Sequence, residues 1–295
     1  KYKYKIIKSL RLNFNFLNLP IILIKLFVSV LGSIFFLKKN KVDIVLGTGG
    51  YMSVPICLAA KILNIKIYLF EPNMVIGRAN KFLLRFCKKL FCYSDEIINF
   101  PKKHKDKIFV IDHILRKEIY DFNNSYKKEA NDITNLLIVG GSQGAKFFDN
   151  NLKNSLVNIS QKYKLKIYHQ VSYSDFEDLK FFYKENGIES KLFNFEENIF
   201  KYISEANLAI TRAGASTLSE LAFLEVPLIV IPYKFATDNH QLQNAIYYEK
   251  NGCCWILKEE EFNQNKLTTL LLNIIQNKED YLRKKNSLKK FGYQN

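Results

Sequence analysis

The stretch that decides the fold is residues 207–232, NLAITRAGASTLSELAFLEVPLIVIP, which we interpret as a strand, a helix and a second strand. The apolar run LAI ends at a turn where Gly214 is expected to supply the freedom in φ that a tight turn needs. Thr217 and Glu220 have the spacing of a capping box, which predicts that the helix begins there. The run LIVIP is typical of a strand buried on both faces. Open α/β sheets bind ligands where such strands end, so this βαβ unit is a candidate binding site.

A polar segment, YKFATDNHQLQNA, follows the second strand and brings Asp238, Gln241 and Asn244 into one short loop. Such side chains are poor in a helix interior, but they suit ligands rich in hydroxyl groups. Glu220 therefore has two interpretations, because it either caps its own helix or accepts hydrogen bonds from a ligand. The polar loop that follows favours a ligand-binding role.

Length and composition limit the class of protein. The 295 residues are enough for two domains, and 48% hydrophobic with 14% aromatic residues is typical of a globular chain. The five cysteines and four histidines show no spacing typical of a metal site or a disulfide framework. We therefore expect neither a metal site nor disulfides, and we expect the protein to reside in a reducing compartment. Residues 1–120 hold 22 Lys and Arg against 7 Asp and Glu, whereas the remainder holds 22 against 21. We therefore expect the first half to face something anionic.

Residues 19–37, LPIILIKLFVSVLGSIFFL, form a nearly continuous apolar segment. Three interpretations are open: a helix in the membrane interface, a buried core helix, and a spanning helix, for which the length barely suffices. Basic residues on both sides, among them Arg11 and Lys38, favour a helix lying flat on an anionic lipid surface.

Strands and helices alternate after this segment. The strand VDIVLG runs into GTGGYMSVP, whose backbone amides can approach a phosphate. Residues 1–120 are predicted to form the first domain, the polar residues 121–135 a linker, and residues 136–295 the second domain. The second domain opens with NLLIVGGSQGA, a strand and a helix amino terminus suited to a diphosphate. It lacks the G-x-G-x-x-G fingerprint, which argues against a nicotinamide enzyme.

Five motifs, GTGGYMSVP, EPN, VGGSQGA, TRAGASTLSE and DNHQLQNA, occur in the order and spacing of one bacterial family. The chain resembles the MurG-type peptidoglycan N-acetylglucosaminyltransferases over nearly its whole length. The resemblance implies an α/β GT-B fold, with two Rossmann-like domains whose parallel sheets face a cleft. It also implies inverting transfer of N-acetylglucosamine from UDP-N-acetylglucosamine to the 4-hydroxyl of undecaprenyl-diphospho-N-acetylmuramoyl-pentapeptide, which converts lipid I to lipid II. No cofactor, metal or nucleic acid is implied.

The same resemblance implies a location and a cellular role. The enzyme would be peripheral, on the cytoplasmic face of the bacterial inner membrane, with an anionic membrane surface as a partner. Its product would serve cell-wall synthesis, and through it cell shape and cell division.

The resemblance also implies a donor site, whose residues are taken from the positions that match the motifs of the family. Glu220 would hold the ribose hydroxyls, Gln241 the sugar hydroxyls, and Ser142 the diphosphate. Asn73 would reach the sugar, and Arg116 would lie by the nucleotide. The backbone of Glu196 would meet the uracil. The implied donor set is Asn73, Arg116, Ser142, Glu196, Ala215, Ser216, Thr217, Leu218, Ser219, Glu220 and Gln241. The implied loop for the acceptor diphosphate is Gly47, Thr48, Gly49, Gly50 and Tyr51.

The chain also departs from the family. Phe70 and Pro72 replace polar residues usual beside Asn73, and DHILR stands where a Gly-Asn-Pro pattern precedes the arginine. The first Gly-Gly-x-Gly-Gly-His loop is absent, so we expect these residues to lack the first βα unit, to bind donor and to turn over lipid acceptor poorly. No general base is assigned, and we interpret Glu71 and Asp43 as structural.

Two alternatives from other classes remain open. One is another GT-B enzyme that uses a UDP-sugar, such as a glycolipid synthase or an epimerase. The other is a non-catalytic basic protein that binds a membrane or a nucleic acid. The aromatic interleaving typical of proteins that bind single strands is not evident, which argues against nucleic acid.

Overall fold

A computed structural model describes residues 19–120 and 135–292. The chain divides into two compact units, Lys1–Ile111 and Asp112–Asn295. The short segment 112–120 therefore belongs with the second unit. The predicted linker, residues 121–135, lies outside the described residues except for its last residue, which begins a strand.

The first unit contains a four-stranded parallel sheet in the order β1-β2-β3-β4. A short 3-10 helix, Lys102–Lys107, precedes the last strand. The alternation of strands and helices confirms the prediction for this part of the chain. Its elements are α1 (Leu19–Lys39), β1 (Ile44–Gly47), α2 (Ser53–Ile62), β2 (Lys66–Glu71), α3 (Arg78–Leu83), β3 (Lys89–Cys92) and β4 (Ile108–Val110).

Helix α1 packs against α2, and its fully buried residues form a narrow stripe. Val30, Ser33 and Leu37 are buried and recur at the three- and four-residue spacing of one helix face. Phe27 and Phe35 are 63% and 67% exposed. Among the described helices α1 alone is long and apolar enough to cross a membrane, and 11% of its apolar window is buried. The interpretation of this segment as a buried core helix is therefore wrong.

The second unit contains a six-stranded parallel sheet in the order β10-β9-β8-β5-β6-β7. The sequence did not indicate β7 or β10 as strands. Its helices are α4 (Lys117–Tyr120), α5 (Gly141–Asn151), α6 (Lys153–Ser160), α7 (Phe176–Glu185), α8 (Phe200–Glu205), α9 (Ala215–Phe223), α10 (His240–Lys250), α11 (Gln264–Gln276) and α12 (Lys278–Gly292). Its strands are β5 (Asn135–Val139), β6 (Lys166–Gln170), β7 (Glu189–Phe193), β8 (Leu208–Thr211), β9 (Leu228–Val230) and β10 (Cys254–Ile256).

Apolar side chains cover both faces of this sheet. Ile138 and Ile210 belong to one buried cluster, and their chain neighbours Leu137 and Ala209 belong to another. Successive residues of a strand point to opposite faces, so these central strands are buried on both sides. The same holds for β9, as predicted, because Ile229 belongs to the first cluster and Leu228 and Val230 to the second. Helix α12, near the end of the chain, buries Leu288 in the second cluster, whereas Lys289 and Lys290 are exposed. Helix α12 therefore has one face buried against the core and one face exposed.

The opening stretch forms the predicted βαβ unit, but two details of the prediction were wrong. Helix α9 begins at Ala215, two residues before the predicted start, and no side chain caps it. Gly214 has φ −71°, which any residue adopts, so the turn does not require the freedom of glycine. The capping box does not form because the N-cap is Gly214, so Thr217 and Glu220 lie inside the helix, where Glu220 is hydrogen-bonded to Arg116.

All five cysteines are unpaired and buried. Burial raises the pKa of Cys57 and Cys92 to about 11 and that of Cys253 to about 12. These thiols are protonated at neutral pH and serve as small apolar side chains.

Candidate functional site

The strand order of the second unit reverses between β5 and β8, which are neighbours at the centre of the sheet. Val139 and Thr211, the last residues of these strands, are aligned with each other. In an open α/β sheet, a crevice for ligands forms at this reversal, outside the carboxyl ends of the strands. The candidate site therefore lies where β5 leads into α5 and β8 leads into α9.

Two helix amino termini meet at this point. Helix α5 has 11 residues and α9 has 9, and in neither does the side chain of the N-cap residue cap the helix. Unpaired N–H groups at a helix start, together with the helix dipole, favour an anion such as a diphosphate. Ser142 lies in the first turn of α5, and its side chain is outside what the structure describes.

The first turn of α9 divides the predicted donor residues into two groups. Ala215, Ser216 and Thr217 are half-buried or exposed, so a ligand can reach them. Leu218 is fully buried in the core. Ser219 is also buried, and its Oγ is hydrogen-bonded to Ala215 O (2.9 Å) and His113 Nδ1 (2.7 Å). Ligand contacts at these last two positions would have to come from the backbone.

Arg116 and Glu220 form a two-pronged ion pair. Arg116 Nε lies 2.8 Å from Glu220 Oε1, and Arg116 Nη2 lies 3.2 Å from Oε2. Burial raises the pKa of the Glu220 carboxyl, and the charge of Arg116 partly offsets this effect. Arg116 Nη1 also donates to Glu197 O at 3.4 Å. The structure thus joins two predicted donor residues and connects α9 to the loop that follows β7.

Gln241 is hydrogen-bonded to two backbone segments of the site. Its Oε1 accepts from Ala213 N at 3.2 Å and from Tyr233 N at 3.0 Å. Asn244 Nδ2 donates to Ala213 O at 3.0 Å. These bonds fix α10 against the turn that precedes α9 and leave the Nε2 of Gln241 to donate to a ligand.

The segment that carries Gln241 was predicted to be a loop, and this prediction was wrong. Helix α10 begins at His240, so Gln241 and Asn244 lie in its first two turns. Asp238 and Asn239 form the entry, with φ of 52° and 56°. Asn and Asp tolerate this left-handed conformation better than most residues, so the polar composition serves the turn and the bonds to backbone groups.

The loop after β7 holds Glu196, which was predicted to meet the uracil through its backbone. Its Oε1 accepts a hydrogen bond from Asn198 N at 3.0 Å, which closes a local turn. Phe195, directly before it, is 74% exposed. The uracil contact stays a prediction.

Arg212 of the TRAG turn was missed as a site residue. It is buried, and its Nη1 lies 2.6 Å from Glu259 Oε2 and 3.0 Å from Ile231 O. Its guanidinium lies 4.6 Å from the ring centroid of Phe147. The only signal in the sequence was a cation directly after an apolar strand. Arg212 therefore connects the carboxyl ends of β8 and β9 next to the site.

His113 was also missed. Burial lowers its pKa to about 4, so it is neutral where it meets Ser219. The chain segment that carries Arg116 is thereby fixed to α9 at a second point.

The first unit carries the predicted acceptor loop at the carboxyl end of β1. Gly49 and Gly50 have φ of 84° and 70°, conformations that favour glycine. Tyr51 is exposed, and Ser53 Oγ donates to Gly49 O. This geometry leaves the loop backbone open to an anion, and the acceptor assignment stays a prediction.

Asn73 of the EPN motif donates through Nδ2 to Glu71 Oε1 at 3.1 Å. The carboxylate of Glu71 is buried and also accepts from Gly77 N (2.8 Å) and Asn80 Nδ2 (3.0 Å). Glu71 therefore holds the turn together, which confirms its structural interpretation. The sugar contact of Asn73 stays a prediction.

Comparisons with known proteins agree on one family. The model of the Glycosyltransferase family 28 C-terminal domain matches residues 135–294, and that of the N-terminal domain matches residues 2–92. A Pelagibacter ubique protein is 48% identical over 295 residues, which are 100% of this chain and 82% of the relative. A Rickettsia canadensis protein is 34% identical, over 88% of this chain and 74% of the relative. Both are named UDP-N-acetylglucosamine--N-acetylmuramyl-(pentapeptide) pyrophosphoryl-undecaprenol N-acetylglucosamine transferase.

A solved structure leads to the same family. The crystal structure of Acinetobacter baumannii MurG superposes with a TM-score of 0.74 at 28% identity, over 92% of this chain and 75% of the other. The two parallel α/β units described above fit the GT-B fold of that family. The chain belongs to the MurG family of N-acetylglucosamine transferases, within glycosyltransferase family 28.

Proposed function

We propose that this protein transfers N-acetylglucosamine from UDP-N-acetylglucosamine to the 4-hydroxyl of undecaprenyl-diphospho-N-acetylmuramoyl-pentapeptide, which forms lipid II from lipid I. The observation that carries the proposal is the meeting of two helix amino termini and the buried Glu220 carboxylate at one strand reversal. A nucleoside diphosphate needs anion-binding N–H groups and an acceptor for its ribose hydroxyls, and this site offers both.

In the second unit, we assign the diphosphate to the starts of α5 and α9. Glu220 accepts from the ribose hydroxyls beside Arg116, and the Nε2 of Gln241 donates to the sugar. As the acceptor hydroxyl attacks the anomeric carbon and UDP leaves, negative charge grows on the departing phosphate. Oriented N–H groups at a helix start stabilise such charge without having to reorganise during the reaction.

In the first unit, we assign the acceptor diphosphate to the loop Gly47–Tyr51. We further propose that α1 rests in the membrane interface on the cytoplasmic side, because its exposed apolar side chains are accompanied by exposed Lys25, Lys38 and Lys39. Apolar and cationic side chains together favour an anionic lipid surface, where the undecaprenyl chain of the acceptor resides. Lipid II made there would serve cell-wall synthesis, cell shape and division.

The test is transfer of radiolabelled N-acetylglucosamine from the nucleotide to a short-chain lipid acceptor, with UDP-glucose as the control donor. We expect label in a product with the mass of the disaccharide lipid, and little from UDP-glucose. Formation of UDP-N-acetylmannosamine without labelled lipid would instead indicate an epimerase. Thermal stabilisation by an oligonucleotide but not by UDP-N-acetylglucosamine would contradict the proposal.

A further inference from the structure

Gln170, the last residue of β6, connects two loops of the candidate donor site. Its Oε1 accepts a hydrogen bond from Gly141 N, the first amide of α5, at 3.1 Å. Its Nε2 donates to Asn194 O, in the loop after β7, at 3.3 Å. One half-buried side chain thus bridges the start of the helix and the neighbouring loop.

The backbone at the start of α5 and in the loop after β7 has a conformation that fits this bridge. Gly141 has φ +64°, a left-handed conformation that orients the first N–H of α5 toward Gln170. The other N–H groups of that first turn remain for a ligand. Asn194 returns a bond, since its Nδ2 donates to Val171 O at 3.0 Å. Val171 N in turn donates to Phe193 O at 2.9 Å, so the pairing of β6 and β7 continues past the strand ends.

Helix α5 is also held further along its length. Asp149 Oδ2 accepts from Ser172 N at 3.0 Å, and Asp149 Oδ1 lies 3.5 Å from His169 Nε2. The body of the helix is therefore anchored by buried groups below the sheet edge. Gln170 holds the outer end, which is the end assigned to the diphosphate.

We propose that Gln170 is a positioning residue that sets the spacing between the diphosphate-binding turn and the base-binding loop. This inference rests on the proposed function, in which α5 binds the diphosphate and the loop with Glu196 meets the uracil. A ligand that spans two loops binds more tightly when their separation is fixed in advance, because less conformational freedom is lost on binding. Gln170 provides that fixed separation without touching the nucleotide.

Comparing the binding of UDP with that of uridine distinguishes this positioning role from a general effect on the stability of the protein. UDP spans both loops, whereas uridine lacks the diphosphate and therefore reaches the base-binding loop and Glu220 but not the start of α5. Loss of the bridge lowers the affinity for UDP and leaves the affinity for uridine almost unchanged. Chemistry at the anomeric carbon is unaffected once the donor is bound, so KM for UDP-N-acetylglucosamine rises while kcat is retained.

The test variant is Gln170→Met, which keeps the length and packing of the side chain and removes both hydrogen bonds. The matched control is Asn186→Ala, because Asn186 Nδ2 makes one exposed bond to Phe182 O at the end of α7. Calorimetric titration should show UDP binding weakened about tenfold in Gln170→Met, the effect of one or two hydrogen bonds, and uridine binding weakened less than about twofold. KM for the donor should rise by a similar factor while kcat stays within about twofold, and the control should behave like the unaltered protein.

A second measurement does not depend on a variant. In glycine-labelled protein without ligand, the amide of Gly141 should exchange slowly, because it is already hydrogen-bonded to Gln170. Fast exchange of that amide would overturn the inference, and so would equal loss, or no loss, of UDP and uridine affinity in Gln170→Met. If the unaltered protein bound no UDP at all, the proposed function itself would fail, and this inference with it.

Discussion

Glu220 lies at the centre of the donor assignment, and its pairing with Arg116 determines what a substitution there would change. We predict that Glu220→Gln weakens UDP-N-acetylglucosamine binding by ~1–3 kcal/mol, because the ribose hydroxyls lose a charged acceptor. Loss of fold stability should be smaller, since Arg116 is 46% exposed and can be solvated by water. Calorimetric titration beside a thermal melt separates the two effects.

The control for this variant is Glu189→Gln, because Glu189 pairs with Lys166 on the surface, with 59% of the glutamate side chain exposed. It should leave both affinity and melting temperature unchanged. Unchanged donor affinity in Glu220→Gln, with a lowered melting temperature, would leave this carboxylate a structural role only.

His169 gives a prediction for pH. It is fully buried, with Nδ1 2.9 Å from the hydroxyl of Tyr183, and burial lowers its pKa to about 3. An unfolded histidine has a pKa near ~6.5, so the unfolded chain binds more protons between these values. Its contribution to stability is therefore complete above pH ~6.5 and is lost as the pH falls toward 3. The raised pKa of Asp149, beside Nε2, acts in the opposite direction.

The measurement is urea unfolding at pH 7 and pH 5, followed by the fluorescence of Trp255, the single tryptophan, which lies on β10. Stability should decrease at pH 5, and the decrease should be smaller in His169→Gln. His104→Gln is the matched control, because His104 lies in the exposed 3-10 helix of the first unit. An equal decrease in all three proteins would exclude His169 as the cause.

At the scale of single residues, the sequence predicted which residues lie at the site, but it did not predict the hydrogen bonds and ion pairs that they form. Glu220 and Gln241 were proposed from their motifs. Arg116 and Glu220 are 104 residues apart, and no local pattern reveals that they pair. The bond between His113 and Ser219 spans 106 residues and was missed for the same reason. Ion pairs and hydrogen bonds across the chain depend on tertiary packing, whereas motifs record local backbone requirements.

Among the elements, the starts of α5 and α9 look alike in sequence but have different backbone requirements. Gly141 has φ +64°, whereas Gly214 has φ −71°. We predict that Gly141→Ala costs about 1–2 kcal/mol of stability, because a residue with Cβ is strained in the left-handed region. Gly214→Ala should cost little, since the nearest described atom to a new Cβ, Thr217 Oγ1, lies 4.0 Å away.

Urea unfolding of both variants checks this prediction, and UDP titration adds a second readout. Gly214→Ala should keep its stability and lose donor affinity, because the added methyl group would occupy space that a ligand approaches. Retained affinity in that variant would indicate that the turn before α9 does not contact the donor. A stability for Gly141→Ala equal to that of the unaltered protein would contradict the strained backbone.

Strands at the centre of the sheet were predictable, and those at its edges were not. All four residues of β8 are buried, and the first three form the apolar run LAI that the sequence shows. In β7, an edge strand, exposed Glu189 and Lys191 alternate with partly buried residues, and the short segment resembles a loop. Strand β10, at the other edge, has only three residues. An edge strand needs neither length nor apolar character on both faces, so its signal in the sequence is weak.

At the scale of the whole molecule, the basic composition of residues 1–120 and the exposed apolar face of α1 both favour binding to an anionic lipid surface. We predict that the protein binds anionic vesicles reversibly and that salt weakens the binding, because counterions screen the charges. Phe27→Ser combined with Phe35→Ser should reduce vesicle binding by about tenfold or more, since each phenylalanine contributes ~1.5–3 kcal/mol when buried. Vesicle sedimentation with anionic and neutral lipids measures both effects.

The control is Phe181→Ser, which removes a phenylalanine of similar exposure, 65%, from α7 of the second unit. It should leave vesicle binding unchanged. Retention of the unaltered protein in membranes after carbonate extraction would indicate a spanning helix and would contradict the interfacial placement.

The buried cysteines have a practical consequence for observing the protein at work. Thiolates react with maleimide dyes, and five buried thiols with raised pKa values react slowly at neutral pH. A cysteine introduced at an exposed position, such as Lys61→Cys on α2 or Lys180→Cys on α7, would be labelled selectively in the native background. One fluorophore on each unit would then report, by energy transfer, whether their separation changes during a turnover.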